Sequence, residues 1–276
     1  MAGDELKVDP TDLTNKATAI EGIPWGIDPA GVSLSEPDTL AATTAAMQNL
    51  KKNAAALGAE QKWGIAESER LAETLRLVAK AYKDVDEASR ANIDATMPGG
   101  SSAPAPAPVP IGSNTLPAPQ VPPAMDRFEN VQAGREMLDP VETDNKLLEG
   151  DQAASLRAAS AEWTANAVRL TEALRPFEIR MQNWEGVAAE AAYTKFKSFG
   201  GWLQALAGKW TQLAAEAEKL ATAHDAAKAA NSPVRAEYEA LQTQLLTQGG
   251  LAAPGAKALQ ERMTQLYQES EEIRAA

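Results

Sequence analysis

The sequence contains no cysteine, a single histidine and no glycine-rich loop of the kind that binds phosphate. Without cysteine, disulfides, thiol nucleophiles and zinc–thiolate sites are excluded. The one histidine, His224, falls on an apolar row of a predicted helix, with no nucleophile or metal partner at matching spacing. We therefore predict no catalytic residue, no cofactor and no bound metal, and a protein that is not an enzyme.

Basic residues are also scarce, with 26 against 38 acidic residues and a formal charge of −12. This charge opposes binding to nucleic acid, whose phosphates attract basic surfaces. No apolar run is long enough for a transmembrane helix. Residues 1–5 are acidic and lack the basic and apolar regions of a secretory signal peptide. The sequence thus predicts no nucleic-acid partner and either a cytosolic location or export by another route.

Aromatic residues make up only 5% of the chain, whereas apolar residues make up 44%. The core must therefore consist mainly of leucine, alanine and valine, and alanine is the strongest helix former. No segment alternates polar and apolar residues as a strand would. We predict an all-α fold in the form of an elongated helical bundle.

A proline-rich segment divides the chain, because residues 98–123 hold nine of the 17 prolines. Proline mixed with glycine, serine and alanine is typical of a flexible or partly polyproline linker. The predicted organisation is a helical region over 1–95, a linker over 96–125 and a second helical region over 126–276.

The first region begins with a predicted short helix over 5–21, followed by a loop. The next helix is predicted to have Ser35 as its N-cap, with Pro37 and Asp38 in its first turn. Two heptad rows then keep one phase to about Ser89, which favours one continuous helix of roughly 55 residues. The alternative is a hairpin that turns at Gly64. The rows are Met47, Ala54, Gln61, Ser68, Leu75 and Tyr82, and Leu50, Leu57, Gly64, Leu71, Val78 and Val85.

The second region centres on the segment Gln182-Asn183-Trp184-Glu185-Gly186, which lies between two further pairs of heptad rows. These rows predict a helical hairpin with arms at 150–182 and 187–230, kinked near Pro176. Gly186 permits the sharp reversal because it has no Cβ. Further helices are predicted near 125–138, over 233–247 and up to about Arg274. The main rows are Leu156, Trp163, Leu170, Phe177 and Trp184, and Phe196, Leu203, Trp210, Ala217 and His224.

Two motifs stand at the ends of these long elements. Tyr82 and Asp86 are four residues apart on one face of the first helix, and Trp184 and Gly186 mark the hairpin corner. Taken alone, each has a structural interpretation: a core tyrosine beside a solvated acid, and an indole that closes the hairpin. If the two helical regions pack in one bundle, both motifs could meet at one tip and form a recognition surface for a partner.

These motifs resemble those of known families. Y-x-x-x-D at Tyr82 and Asp86, after a helical pair, is similar to the mycobacterial PE proteins, and W-x-G at Trp184 and Gly186 is similar to the PPE proteins. A chain that joins both through a Pro/Ala linker resembles the EspB family of type VII secretion substrates. The stretches 79–87 and 148–156 share this similarity. The resemblance implies a PE-like helical pair packed on a PPE-like helical hairpin with extra C-terminal helices.

The resemblance also implies a function. Tyr82, Asp86, Trp184 and Gly186 would form a bipartite export signal for the type VII secretion machinery, with release to the cell envelope or exterior without a cleaved signal peptide. Ring-like homo-oligomers and binding of acidic phospholipids are further implied, although the negative charge weakens the lipid expectation. Members of that family continue into a processed Gly/Pro-rich tail, and this sequence ends at Ala276, so nothing is implied about processing.

Two other functions remain open. The chain could be a lipid-binding module at the cell envelope or a host membrane, using amphipathic helices within 126–138 and 233–275. It could also be a plain coiled-coil scaffold with no role in export, in which Tyr82 and Trp184 would be buried and not adjacent.

Overall fold

The computed structural model of the protein describes residues 8–26, 28–96, 136–252 and 254–275. These residues form helices joined by loops, and the one β-type pairing among them is an isolated bridge between Val8 and Trp184. The predicted all-α fold is thus confirmed. The helices are α1 (Pro10–Glu21), α2 (Ala41–Thr96), α3 (Pro140–Leu148), α4 (Ala154–Glu172), α5 (Arg175–Glu178), α6 (Val187–Thr247) and α7 (Ala256–Ala275).

Two helices begin with acidic capping residues, which helix starts favour. The side chain of Asp9 accepts the backbone N–H of Thr11 at 2.8 Å, and Pro10 occupies the first turn of α1. Asp139 and Glu142 form a reciprocal capping box at the start of α3. Such caps satisfy N–H groups that have no partner within the helix, each contributing about 1 kcal/mol.

The long helix α2 is continuous, as its unbroken heptad phase predicts, and the hairpin alternative at Gly64 is wrong. The helix begins at Ala41, so the prediction that Ser35 is its N-cap is wrong. Before the helix, the carboxylate of Asp38 accepts the N–H of Leu40 at 2.9 Å. Gly64 does not mark a turn. A Cβ at this position would lie 2.0 Å from the indole of Trp202, so glycine permits a close approach of that ring to α2.

The described residues fall into two compact units. The first comprises 8–26, 59–96 and 167–208. Its core holds seven aromatic rings in successive contact, with centroid separations of 4.7 to 6.4 Å. Side chains of the N-terminal region therefore pack here on the hairpin region. In order of contact the rings belong to Trp63, Trp202, Phe199, Phe177, Phe196, Tyr193 and Trp184.

The second unit comprises 28–58, 136–166, 209–252 and 254–275. At its centre Trp163 and Trp210 are fully buried, with ring centroids 6.1 Å apart. The indole N–H of Trp163 donates to the backbone oxygen of Pro29 at 2.8 Å. The loop before α2 is thus fixed to the hairpin by a buried hydrogen bond, which is costly to leave unmade.

The prediction of a separate helix over 233–247 is wrong, because α6 continues through Pro233 to Thr247. Proline removes one helical hydrogen bond and normally ends or kinks a helix. Here Asn231 is fully buried, donates to the oxygen of Pro140 at 3.0 Å and accepts from Ser270 at 2.7 Å. These contacts with α3 and α7 hold the segment in place, so tertiary packing overrides the local signal.

The other predicted elements differ at their ends. The first hairpin arm stops at Glu172 and resumes as the short helix α5, in agreement with the expected disturbance near Pro176. Of the helix predicted near 125–138, residues 136–138 are not helical and the rest lies outside the described residues. The predicted linker over 96–125 also lies almost entirely outside them.

Candidate functional site

The hairpin corner is a segment of irregular backbone between α5 and α6, residues 179–186. Gly186 adopts a φ of +102°, which favours glycine and confirms its predicted role in the reversal. Backbone groups outside helices and sheets need other partners when they are covered by protein. The first partner is the N-terminal segment, because Val8 bridges Trp184 and the N–H of Asp9 donates to the oxygen of Asn183 at 2.8 Å.

Tyr193, the seventh residue of α6, supports the corner from the other side. Its hydroxyl accepts the N–H of Met181 at 3.1 Å and donates to the oxygen of the same residue at 3.2 Å. The guanidinium of Arg180 lies 4.4 Å above the tyrosine ring and pairs with Glu190 at 2.8 Å. The corner is therefore an ordered structure with its own polar contacts.

Trp184 lies inside this structure. The residue is 5% exposed, and its ring packs edge-on against Tyr193 at 6.0 Å. Its indole N–H is buried and has no hydrogen-bond partner in the described part of the chain. The apolar side chains on either side are exposed, with Ile179 57% and Val187 90% accessible. The solvent-facing surface of the corner is thus formed by the neighbours of the tryptophan.

Two side chains of α1 also hold the corner. Asp12 accepts a hydrogen bond from the side-chain amide of Asn183 at 3.0 Å. Lys16 donates its ammonium to the oxygen of Ile179 and lies 5.5 Å from the ring centre of Phe196. Burial lowers the pKa of Lys16 from 10.5 to about 8, since the charged form is poorly solvated there.

Tyr82 and Asp86 lie in the last third of α2, where Tyr82 is half-buried and Asp86 exposed. Among the described residues no hydrogen bond or ring contact joins Trp184 to either of them. The contacts that hold the corner come instead from Asp12, Lys16 and Tyr193. Sequence reasoning missed these three residues, because no heptad row or motif spacing distinguishes them.

A groove of about 580 Å³ adjoins the corner. Its apolar wall includes Leu174, Phe177 and Phe196, and charged side chains such as Arg180 and Lys197 line it as well. No cluster of three or more metal-binding side chains occurs in residues 8–26, 28–96, 136–252 and 254–275. No helix within those ranges is long and apolar enough to cross a membrane.

His224, the one histidine, is a core residue of the second unit, as its heptad position predicts. Its Nδ1 lies 2.8 Å from the carboxylate of Asp38, and both side chains are 1% exposed. The same carboxylate accepts hydrogen bonds from the N–H of Leu40 and the hydroxyl of Thr43. This buried pair ties α6 to the residues that precede α2.

Two family models match the chain. Residues 139–276 match the PPE domain of the ESX-1 secretion-associated protein EspB, and residues 11–89 match the PE domain of ESX-1 secreted protein B. EspB of Mycolicibacterium smegmatis (strain MKD8) is 28% identical over 242 residues, which cover 87% of this chain and 45% of that protein. EspB of Mycobacterium tuberculosis (strain H37Rv) is 28% identical over 226 residues, which cover 79% and 46%. The chain thus spans about half the length of these curated relatives.

Solved structures show the same likeness. A crystal structure of EspB from the ESX-1 type VII secretion system superposes with a TM-score of 0.75 at 26% identity, covering 99% of this chain and 92% of that one. A Mycobacterium marinum EspB structure gives a TM-score of 0.65 at 19% identity, covering 97% and 89%. The second likeness shows a shared fold alone.

Proposed function

Because the chain belongs to the EspB family of ESX-1 secretion-associated proteins, we propose that it is a non-enzymatic substrate or effector of a mycobacterial type VII secretion system. Release to the cell envelope or exterior would not require a cleaved signal peptide. The observation that carries the proposal is the order of the two matches, a PE domain at 11–89 and a PPE domain at 139–276. That order also supports the division at 1–95, 96–125 and 126–276.

The proposed export signal has two parts, Tyr82 with Asp86 and Trp184 with Gly186. The ordered corner supports this proposal, because a recognition surface needs residues held in one geometry. The secretion machinery would contact the exposed residues of both motifs and the surface around the buried indole.

The N-terminal segment with α1 contacts both the corner and α2 within the first unit. The chain just before its first turn is paired with the corner at Trp184, and its last residue, Glu21, forms an ion pair with Arg76 of α2. Tyr82 follows Arg76 by about 9 Å along α2, and α1 is about 18 Å long, at 1.5 Å per residue. From the corner, α1 leads to the ion pair with Arg76. If α2 runs antiparallel to α1, the residues after Arg76 return towards the corner, and Tyr82 then lies closer to Trp184 than Arg76 does, as a composite signal requires.

Replacement of Trp184 tests the signal. We expect Trp184→Ala to remain folded in circular dichroism and thermal unfolding, yet to be retained in cells that secrete the natural chain. Trp184→Phe keeps most of the buried apolar area, so it allows the same secretion test if Trp184→Ala does not fold. Trp202→Phe is a matched control, since it alters another aromatic of the same unit away from the corner. Normal secretion of a folded Trp184→Ala chain would contradict the assignment.

Self-assembly into ring-like oligomers is part of the same proposal. Several large apolar side chains of the second unit are exposed, and such side chains favour association when they cluster at an interface. They are Met137, Leu148, Leu246 and Leu251. Measuring the particle mass between pH 5 and 7.5 tests this, because a negatively charged surface repels its copies least when its carboxylates are protonated. A monomeric mass throughout would contradict it.

Binding of acidic phospholipids is the alternative function, with the stretch 233–275 as the described candidate. Two of its three arginines already form ion pairs, Arg262 with Glu237 and Glu269, and Arg235 with Asp144 and Glu239. The third, Arg274, donates to the oxygen of Leu138 and the hydroxyl of Thr143. A membrane would have to compete for them. Flotation with anionic and neutral vesicles at low salt separates the two functions, since absence of binding removes the lipid alternative.

A further inference from the structure

The corner depends on α1 for part of its hydrogen bonding. Residues 179–186 belong to neither flanking helix, so their backbone groups need partners elsewhere. The oxygen of Asn183 accepts from the backbone of Asp9, and the oxygen of Ile179 accepts from the ammonium of Lys16. One donor is the N-cap of α1 and the other lies within that helix, both more than 160 residues away in sequence.

The lysine in this position is costly. Lys16 is 7% exposed, and burial of an ammonium lowers its pKa to about 8. An apolar side chain of similar length would fill the same space without that cost. The lysine nevertheless spans from α1 to the oxygen of Ile179, where a methionine could not donate. A buried ammonium that donates a hydrogen bond to the corner is better explained by a role in holding the corner than by a role in packing the core.

The burial of Trp184 explains why fixation matters. Because only 5% of Trp184 is exposed, a partner cannot contact the indole ring unless the corner opens. It can read only the surface that the corner presents, including Ile179 and Val187. That surface keeps one shape only while the irregular segment is held in place.

We propose that Asp12 and Lys16 are positioning residues of the export signal, which then has α1 as a third part beside Tyr82–Asp86 and Trp184–Gly186. The inference rests on the proposed function. Asp12 acts through Asn183, and Lys16 acts through the backbone of Ile179. Neither residue needs to touch the secretion machinery.

The test uses the full chain with Asp12→Ala, Asn183→Ala, the double variant and Lys16→Met. Three quantities are measured: amide exchange over residues 179–186, thermal stability and the secreted fraction. Loss of one hydrogen bond should make exchange at the corner about fivefold faster. The double variant should match the single ones, because Asp12 and Asn183 share one bond. Secretion should fall in each variant whose corner exchanges faster.

Lys16→Met separates positioning from general stability. It removes a poorly solvated charge, so the melting temperature should stay unchanged or rise while the secreted fraction falls. A merely structural lysine would give the reverse or no change in secretion. Asn15→Ala is the matched control, since it changes an exposed residue beside Lys16 in α1 and leaves the corner contacts in place.

The outcomes are distinct. Normal secretion of Asp12→Ala and Lys16→Met, with faster exchange at the corner, would overturn the inference while Trp184→Ala is still retained. Unchanged exchange at the corner would overturn it as well, because the contacts would then not hold the segment. If Trp184→Ala is itself secreted normally, the proposed function fails.

Discussion

Substituting alanine for two helical glycines should change the stability in opposite directions. Gly64 lies within α2, where a Cβ would be 2.0 Å and 2.4 Å from two atoms of the Trp202 indole. Gly201 lies within α6, and apart from its own helical turn no atom of the described residues lies within 4 Å of its Cβ position. The same substitution therefore introduces a clash at one site and meets open space at the other.

The magnitudes follow from two opposing effects. Alanine in a helix interior is about 1 kcal/mol more stable than glycine, so Gly201→Ala should stabilise by about that amount. At Gly64 the indole must move away from Trp63, whose ring centre is 4.8 Å away, and from Glu60, which accepts its N–H at 3.2 Å. Overpacking of this kind costs about 1–3 kcal/mol, which outweighs the helix gain. We expect Gly64→Ala to destabilise by up to about 2 kcal/mol, the overpacking cost less the helix gain.

Urea unfolding of both variants beside the natural chain measures the effect, with the slope m compared to confirm the same transition. Tryptophan fluorescence gives a second readout at Gly64, since Trp202 should shift its environment only there. Equal stabilisation by the two substitutions would contradict the close approach of Trp202 to α2.

Three further predictions concern other contacts. Trp163→Phe should lower the free energy of unfolding by about 1–3 kcal/mol in chemical unfolding, because the oxygen of Pro29 loses its buried donor. An unchanged free energy of unfolding would mean that water replaces the indole N–H as donor. Stability should rise as the pH increases from about 8 towards 10.5, because between these values the unfolded chain protonates Lys16 and the folded one does not. Lys16→Met should abolish that rise. Pro233→Ala should raise stability by up to about 3 kcal/mol, since α6 regains a hydrogen bond at an exposed position, and a loss would show that the proline relieves strain.

The long helices could be predicted because their signal is local and repeated. All five residues of the row from Leu156 to Trp184 are buried, and so are all five from Phe196 to His224. A heptad row reports which face of a helix is covered, whatever covers it. The continuity of α2 through Gly64 follows from the same phase.

The continuity of α6 and the support of the corner could not be predicted. Pro233 is a strong local signal for a helix end, and only the buried contacts of Asn231 with residues far along the chain override it. Asp12 and Lys16 contact the corner from a helix that is far away in sequence. No residue spacing within α1 indicates which residues they contact. Such contacts depend on tertiary arrangement, which a single sequence does not encode in any short window.

A composite export signal requires that Tyr82 and Trp184 lie at the same end of the first unit. The absence of natural cysteine makes a direct distance measurement clean, because two introduced cysteines can be labelled alone. Lys83 and Glu185 are exposed and lie next to Tyr82 and Trp184. The double variant Lys83→Cys with Glu185→Cys can therefore carry two spin labels while the motif residues themselves stay unchanged.

We expect double electron–electron resonance spectroscopy on this labelled chain to give one narrow distance between the labels, below about 25 Å. This range allows for two motifs at the same end and for a few ångströms added by each label. Spin labels on Lys62→Cys and Glu185→Cys serve as the comparison and should lie farther apart, since residue 62 precedes residue 83 by about 30 Å along α2. A longer distance for the first pair than for the second would place the motifs at opposite ends and contradict the composite signal.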